Sequence, residues 1–172
     1  AGKLIEIGFD GYAFGGWPVE DGKFMKELLA FTCKLMPGNK LKYAMGVGKP
    51  EDIVACVKMG YDLFDCVIPT REARNNRLYS FTGNVLGMKQ PSENSIFYEY
   101  VRVRNMEFAE DKRPISKFCD CYSCMNYTRS ELYKFFKNKD PLSIKLATIH
   151  NLRFYTRLME SFRKKSSDWR IW

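Results

Sequence analysis

One histidine, His150, is all the imidazole this 172-residue sequence contains. No run of about 18 apolar residues occurs, which excludes an ordinary membrane-spanning helix. Nothing at the start has the basic, apolar, small-residue order of a signal peptide, so a cytoplasmic setting is expected. There is no low-complexity segment and no repeat beyond strand–helix units. Ala1 is not preceded by an initiator methionine, and Lys3-Leu4-Ile5-Glu6-Ile7-Gly8 reads as the end of a helix capped by glycine, so the chain is expected to begin inside a fold. Six cysteines are present, but three crowd into Cys119-Asp120-Cys121-Tyr122-Ser123-Cys124, while Cys33, Cys56 and Cys66 lie in apolar segments. That distribution points to a reduced protein with one metal site rather than a disulfide framework. With 45% hydrophobic and 28% charged residues, the composition is that of a globular domain, and the formal charge of +8 favours an anionic partner, nucleic acid above all.

Strands alternate with helices in the first part of the chain. Phe9 to Gly16 reads as a short buried strand, and Asp21 to Leu35 as a helix with Phe24, Leu28, Phe31 and Leu35 on its apolar face, stopped at Pro37-Gly38. Leu41 to Met45 is a second strand, Gly46-Val47-Gly48 a turn, and Pro50 opens a helix with Glu51 and Asp52 at its positive end and Gly60 at its close. Tyr61 to Ile68 is a third strand, stopped by Pro69. This alternation predicts a parallel sheet. Three strands cannot close a barrel, so further structure on the same or another chain is expected to pack here.

Beyond Pro69, Arg77 to Phe81 and Val85 to Lys89 read as a hairpin around Thr82-Gly83-Asn84. An irregular basic stretch runs from Gln90 to Lys117, followed by the cysteine cluster and a helix from about Ser130 to Asn138. A long amphipathic helix from near Leu142 has a packing face of Ile149, Leu152, Tyr155, Leu158 or Met159, and Phe162.

Soft thiolates and an imidazole suit zinc, which takes four such ligands tetrahedrally in structural sites. Cys119, Cys121 and Cys124 supply three from one loop, and His150, on the last helix, supplies the fourth. Four protein ligands leave no open position, so this zinc holds structure and does not activate water. Elsewhere, the C-terminal ends of the parallel strands deliver Gly15-Gly16-Trp17, Met45-Gly46-Val47-Gly48 and Asp65-Cys66-Val67-Ile68-Pro69. Asp65 is the one carboxylate so placed; Asp10 and Asp62 are read as structural.

Tyr43-Ala44-Met45-Gly46-Val47-Gly48-Lys49-Pro50-Glu51-Asp52, Phe64-Asp65-Cys66-Val67-Ile68-Pro69-Thr70-Arg71, and the Cys119/Cys121/Cys124 cluster with Ile149-His150-Asn151 resemble, in order and spacing, the tRNA-guanine transglycosylase family, over nearly the whole chain. The resemblance is to the C-terminal half: the last three strand–helix units of a (β/α)8 TIM barrel, with a zinc-binding insert before the final helix. It implies residues 1–76 as barrel, 77–141 as hairpin and zinc-binding insert, and 142–172 as closing helix and tail.

The resemblance implies exchange of guanine at the anticodon wobble position of tRNA for a 7-deazaguanine, with Asp65 attacking the ribose C1′ to form a covalent intermediate, and no cofactor beyond one structural zinc. It places Gly15, Gly16, Trp17, Met45 and Gly46 at the flipped base, and Gly46, Val47, Gly48, Lys49, Pro50, Glu51 and Asp52 with Thr70, Arg71, Glu72, Ala73 and Arg74 at the RNA. It also implies a dimer, and inactivity without the N-terminal half, which carries the family's other aspartates. Where many members read Gly-Gly-Leu-Ala-Val-Gly-Glu, this chain has Gly15-Gly16-Trp17-Pro18-Val19-Glu20 and is one residue shorter, which leaves base preference open. Alternatives are a non-catalytic tRNA-binding or assembly subunit, and a transglycosylase acting on DNA.

Overall fold

The computed structural model describes residues 1–86, 91–92 and 95–163, which form two compact units, Ala1–Val67 with Ser92 and the remainder from Ile68. In the first unit, α1 (Gly2–Ile7) ends on Gly8, whose left-handed φ of 83° lets its N–H return to the Ile5 carbonyl. Strands β1 (Gly11–Phe14), β4 (Leu41–Ala44) and β5 (Leu63–Phe64) form a parallel sheet in the order β1-β4-β5, with Phe14 opposite Ala44 and Ala44 opposite Phe64. Helix α2 (Lys26–Leu35) precedes β4, and α3 (Pro50–Met59) precedes β5. Pro50 occupies the first turn of α3, where its missing N–H leaves no intrahelical bond unmade, and Gly60, at φ 105°, caps the other end. Leu29, Cys33, Ala44, Val54, Cys56 and Tyr61 form the core. Asp62 is structural, its Oδ2 accepting the Lys42 N–H at 2.9 Å.

Three features of this unit and its boundary differ from the sequence expectation. Residues 19–24 are not helix: β2 (Val19–Glu20) and β3 (Lys23–Phe24) pair antiparallel around Asp21-Gly22, both at positive φ, a two-residue type I′ turn. The buried face of α2 is Leu29 and Cys33, whereas Leu28, Phe31 and Leu35 are exposed. Pro69 does not stop a strand; the third strand ends at Phe64, and Pro69 sits in the first turn of the next helix, where proline is tolerated.

That helix, α4 (Ile68–Arg74), opens the second unit, which continues with β6 (Arg77–Phe81), β7 (Tyr98–Arg102), a single 3₁₀ turn (Met106–Phe108), α5 (Tyr122–Asn126), α6 (Arg129–Lys137) and α7 (Pro141–Arg163). Among the described residues the antiparallel partner of β6 is β7, with Tyr79 opposite Tyr100. Val85 and Leu86 lie in a turn, and 87–89 lie outside the described residues. Strand β7 instead arises within the basic stretch expected to be irregular. Helix α6 opens with a capping box: the Glu131 N–H donates to Thr128 Oγ1, while Glu131 Oε2 accepts the Thr128 N–H. Arg129 pins the preceding segment by donating to the Pro114 and Ile115 carbonyls and to Asp111. Ala73, Leu78, Val101, Ile115, Leu132, Phe136, Leu146 and Ala147 share one apolar core. The buried face of α7 is Ser143, Leu146, Ala147, His150, Asn151, Phe154, Leu158, Ser161 and Phe162; Leu152 is exposed. No described helix is long and apolar enough to cross a membrane.

Candidate metal centre and candidate active site

Helix α7 brings His150 to the cysteine loop. Cys119 precedes α5, Cys121 is its N-cap with Sγ accepting the Cys124 N–H, and Cys124 lies one turn inside it. The three Sγ atoms and a His150 nitrogen lie within 4.8 Å of one another. His150 Nδ1 stands 3.5 Å from Cys121 Sγ and 3.3 Å from Cys124 Sγ. Zinc–sulfur and zinc–nitrogen bonds of about 2.3 and 2.0 Å in a tetrahedron put sulfur and nitrogen about 3.5 Å apart, so the spacing fits a shared cation.

The tautomer fits as well. His150 is fully buried, and its Nε2 lies 2.6 Å from the Tyr79 carbonyl, which can only accept. Nε2 therefore carries a proton, which leaves Nδ1, facing the sulfurs, as the atom that would offer its lone pair to a metal, with the Tyr79 carbonyl orienting the ring as outer partners orient metal-bound histidines. Hydrogen bonds from Cys119 and Cys124 pull the Cys121 thiol far below its usual range despite burial, and the contacts with Cys119 and Cys121 push the Cys124 thiol up. The donor set of three sulfurs and one imidazole suits zinc, and all four positions are filled by protein.

Asn151, the next residue, completes the seating of α7. Fully buried, it donates from Nδ2 to the Pro69 and Arg77 carbonyls, both at 3.0 Å, and accepts the Tyr79 N–H on Oδ1 at 3.2 Å. A hydrophobic pattern carries no signal for it, because it is an amide on a helix face.

In the first unit, Asp65 follows β5 directly and is exposed. Its Oδ1 accepts the Gly46 N–H at 2.9 Å and the Tyr43 hydroxyl at 2.7 Å. The Gly46 N–H first, and the Tyr43 hydroxyl second, hold the carboxyl below the usual carboxylate range. The same hydrogen bond raises the Tyr43 phenol, so Tyr43 stays a donor. Gly46 adopts φ 73°, which aims its N–H at Asp65 and which side-chain-bearing residues seldom adopt. Tyr43 was legible only as part of a motif; its role depends on the register that sets it opposite Leu63, two residues before Asp65.

Of the other sequence-predicted positions, Gly15 lies against Met45, where an added Cβ would sit 3.6 Å from the sulfur, and Gly16 lies against the Phe14 ring. Met45 is exposed and Trp17 is 85% exposed. Pro18, unassigned in the sequence reading, packs beside Gly46. Val47, Gly48 and Pro50 are buried, Glu51 and Asp52 half-buried, and Lys49 exposed. Burial, reinforced by Glu51, pushes Asp52 up to about 6. In α4, Arg71 and Arg74 are exposed and Thr70 half-buried, while Ala73 and Glu72 are buried, the latter paired with Arg77 Nη1 at 2.9 Å. A cavity of about 330 Å³, lined by Leu4, Ile5, Tyr12, Phe14, Gly15 and Leu35 among others, reaches Gly15 but not Asp65.

An α/β unit with a parallel sheet and a Cys3His cluster built on the final helix is the class of protein that these features define. Residues 1–170 match the family model described as Queuine tRNA-ribosyltransferase, and the chain belongs to that family. Relatives named queuine tRNA-ribosyltransferase include one from Psychrobacter sp. (strain PRwf-1), 49% identical over 161 residues, covering 93% of this chain and 39% of the relative. Another, from Blochmanniella pennsylvanica (strain BPEN), is 46% identical over 165 residues, covering 95% of this chain and 40% of the relative. A third, from Mannheimia succiniciproducens, is 46% identical over 164 residues, with 95% and 39% covered. The chain thus spans about two-fifths of the length of these relatives.

Proposed function

We propose that this chain is the nucleophile-bearing part of a tRNA-guanine transglycosylase, contributing the last three strand–helix units of a (β/α)8 barrel and a zinc-binding insert. The observation that carries the reading is the Asp65 carboxylate, kept ionised by two donors on Oδ1 while neither engages Oδ2. An ionised carboxylate at a strand end is a competent nucleophile toward a sugar carbon with oxocarbenium character. Asp65 attacks the ribose C1′ as guanine departs, forming a carboxylate–carbon bond, and the incoming 7-deazaguanine displaces the carboxylate. Two displacements retain the configuration.

The base lies against Gly15, Gly16, Trp17, Met45 and Gly46, and the tRNA anticodon loop meets the segments 46–52 and 70–74. Lys49, Arg71 and Arg74, whose charged side chains are exposed, supply the phosphate and base-edge contacts. Zinc, held by Cys119, Cys121, Cys124 and His150, stabilises the insert. The N-terminal half of the barrel, on the same or another chain, supplies the remaining acid–base groups.

Asp65→Asn in the protein that includes that half tests the reading. The amide cannot form the ester-like bond, so labelled guanine exchange and the denaturation-resistant RNA adduct should both disappear while RNA binding persists. Exchange that survives the substitution refutes the nucleophile; a protein that binds tRNA but never exchanges guanine, even with Asp65 intact, favours an assembly subunit.

A further inference from the structure

Asp120, between the first two cysteines of the cluster, is gripped by two arginines of α7. Arg153 donates from Nε to Oδ1 at 2.6 Å and from Nη2 to Oδ2 at 2.9 Å, a two-pronged contact. Arg157 adds Nη1 to Oδ2 at 2.9 Å. Arg153 is itself held in place, donating from Nη1 and Nη2 to Glu160 at 2.5 and 3.2 Å and from Nη1 to Thr156 Oγ1 at 3.0 Å. Arg153 and Arg157 lie three and seven residues beyond His150, on the same side of α7. One helix face therefore delivers the imidazole and also grips the midpoint of the loop that carries two of the sulfurs.

We propose that Asp120, with Arg153 and Arg157, is the positioning device of the metal centre. The clamp fixes the Cys119–Cys121 peptide segment against α7, so the sulfurs stand at coordinating distance from His150 Nδ1 independently of the metal's pull. Two carboxylates and two guanidiniums cancel in charge, so the clamp acts through orientation rather than through a net field. Asp120 is 52% exposed, and a surface ion pair of that kind adds little to overall stability. A fixed two-pronged geometry, by contrast, limits how far the loop can swing when a thiolate lets go. Outer partners that orient metal ligands in this way set metal retention strongly.

The inference rests on the cluster holding zinc, and the experiment separates the two. Elemental analysis of the purified protein comes first: absence of stoichiometric zinc, together with failure to take it up, overturns the metal reading itself. With zinc bound, its release to an excess of colorimetric chelator is followed in the unaltered protein and in Asp120→Asn, Arg153→Gln and Arg157→Gln. Release is expected to be roughly 10–100-fold faster in Asp120→Asn and Arg153→Gln, with a smaller increase in Arg157→Gln, which removes one bond. The double variant Asp120→Asn/Arg153→Gln should be no faster than the faster single variant, because both remove the same contact. In the cobalt-loaded protein, Asp120→Asn should alter the ligand-field bands, a signature that a merely stabilising contact would not move. Release in Asp120→Asn within about twofold of the unaltered protein, or slower than it, overturns the proposal. If Asp120→Asn does not fold, Arg157→Gln carries the test, and an unchanged release rate there overturns it equally.

Discussion

Replacing Asn151 by alanine removes three hydrogen bonds at once, two of them buried, and the cost follows from which groups are left behind. The Tyr79 N–H loses the acceptor that Asn151 Oδ1 provides at 3.2 Å and becomes an orphaned buried donor. The Pro69 and Arg77 carbonyls each lose a donor at 3.0 Å but retain a second lone pair for other partners. An unsatisfied buried donor costs about 1–3 kcal/mol and a weakened carbonyl less, so Asn151→Ala should destabilise by about 2–4 kcal/mol. For a chain of this size that lowers the melting temperature by roughly 5–15 °C. Asn151→Asp sharpens the test because it is isosteric. Its carboxylate still accepts from Tyr79, but its second oxygen faces two carbonyl oxygens with no proton between them. Asn151→Asp should therefore be worse than Asn151→Ala at neutral pH. Burial raises the new carboxyl's folded pKa above the unfolded value of about 3.9, so its extra penalty is full above the folded pKa and fades as pH falls toward about 4. Urea denaturation of the zinc-loaded proteins at several pH values measures this. A loss below about 1 kcal/mol for Asn151→Ala, or an aspartate variant no worse than the alanine one at pH 7, refutes the hydrogen-bond account.

Gly46→Ala should cost about 1–2 kcal/mol from the left-handed backbone alone, since the added Cβ would meet Pro18 only at an ordinary contact of 3.8 Å. If the peptide relaxes instead, its N–H leaves Asp65 and that carboxyl titrates higher, which NMR titration detects. Chelation of zinc should unfold the α5 turn and the cysteine loop, read as loss of helix by circular dichroism and as hydrogen exchange confined to residues around 119–126. Zinc should also be released as pH falls, because each thiolate then takes a proton in place of the metal.

Local punctuation made much of the first unit legible. Pro50 with Glu51 and Asp52, and then Gly60, bracket α3, and the strand ends placed Asp65 beside a glycine turn. The same kind of signal misled where its meaning depends on context. Asp21-Gly22 turns a hairpin rather than starting a helix, and β7 pairs with β6 from within a stretch that showed no strand signal. The pairing of β6 with β7 spans a long connection, and no local feature specifies so distant a partner. Helix α7 was recognised from its periodicity, but its buried face was misjudged because four of its members, Ser143, His150, Asn151 and Ser161, are polar. The Cys119, Cys121, Cys124 and His150 cluster was legible from chemistry, whereas Tyr43 and the Arg153 clamp depend on register and on helix phase.

The hydrogen bonds that seat α7 also have a bearing on association between chains. Tyr79 turns its N–H and C=O away from β7, along the side of β6 where another strand could add. Asn151 takes the N–H, His150 takes the C=O, and Asn151 also takes the Arg77 carbonyl on the same side. Two helix side chains thus occupy the positions that an intruding strand would need, which protects the sheet against edge-to-edge aggregation. One of the two is the imidazole of the Cys3His cluster, so the side chain that would hold a metal ion also helps to close that edge.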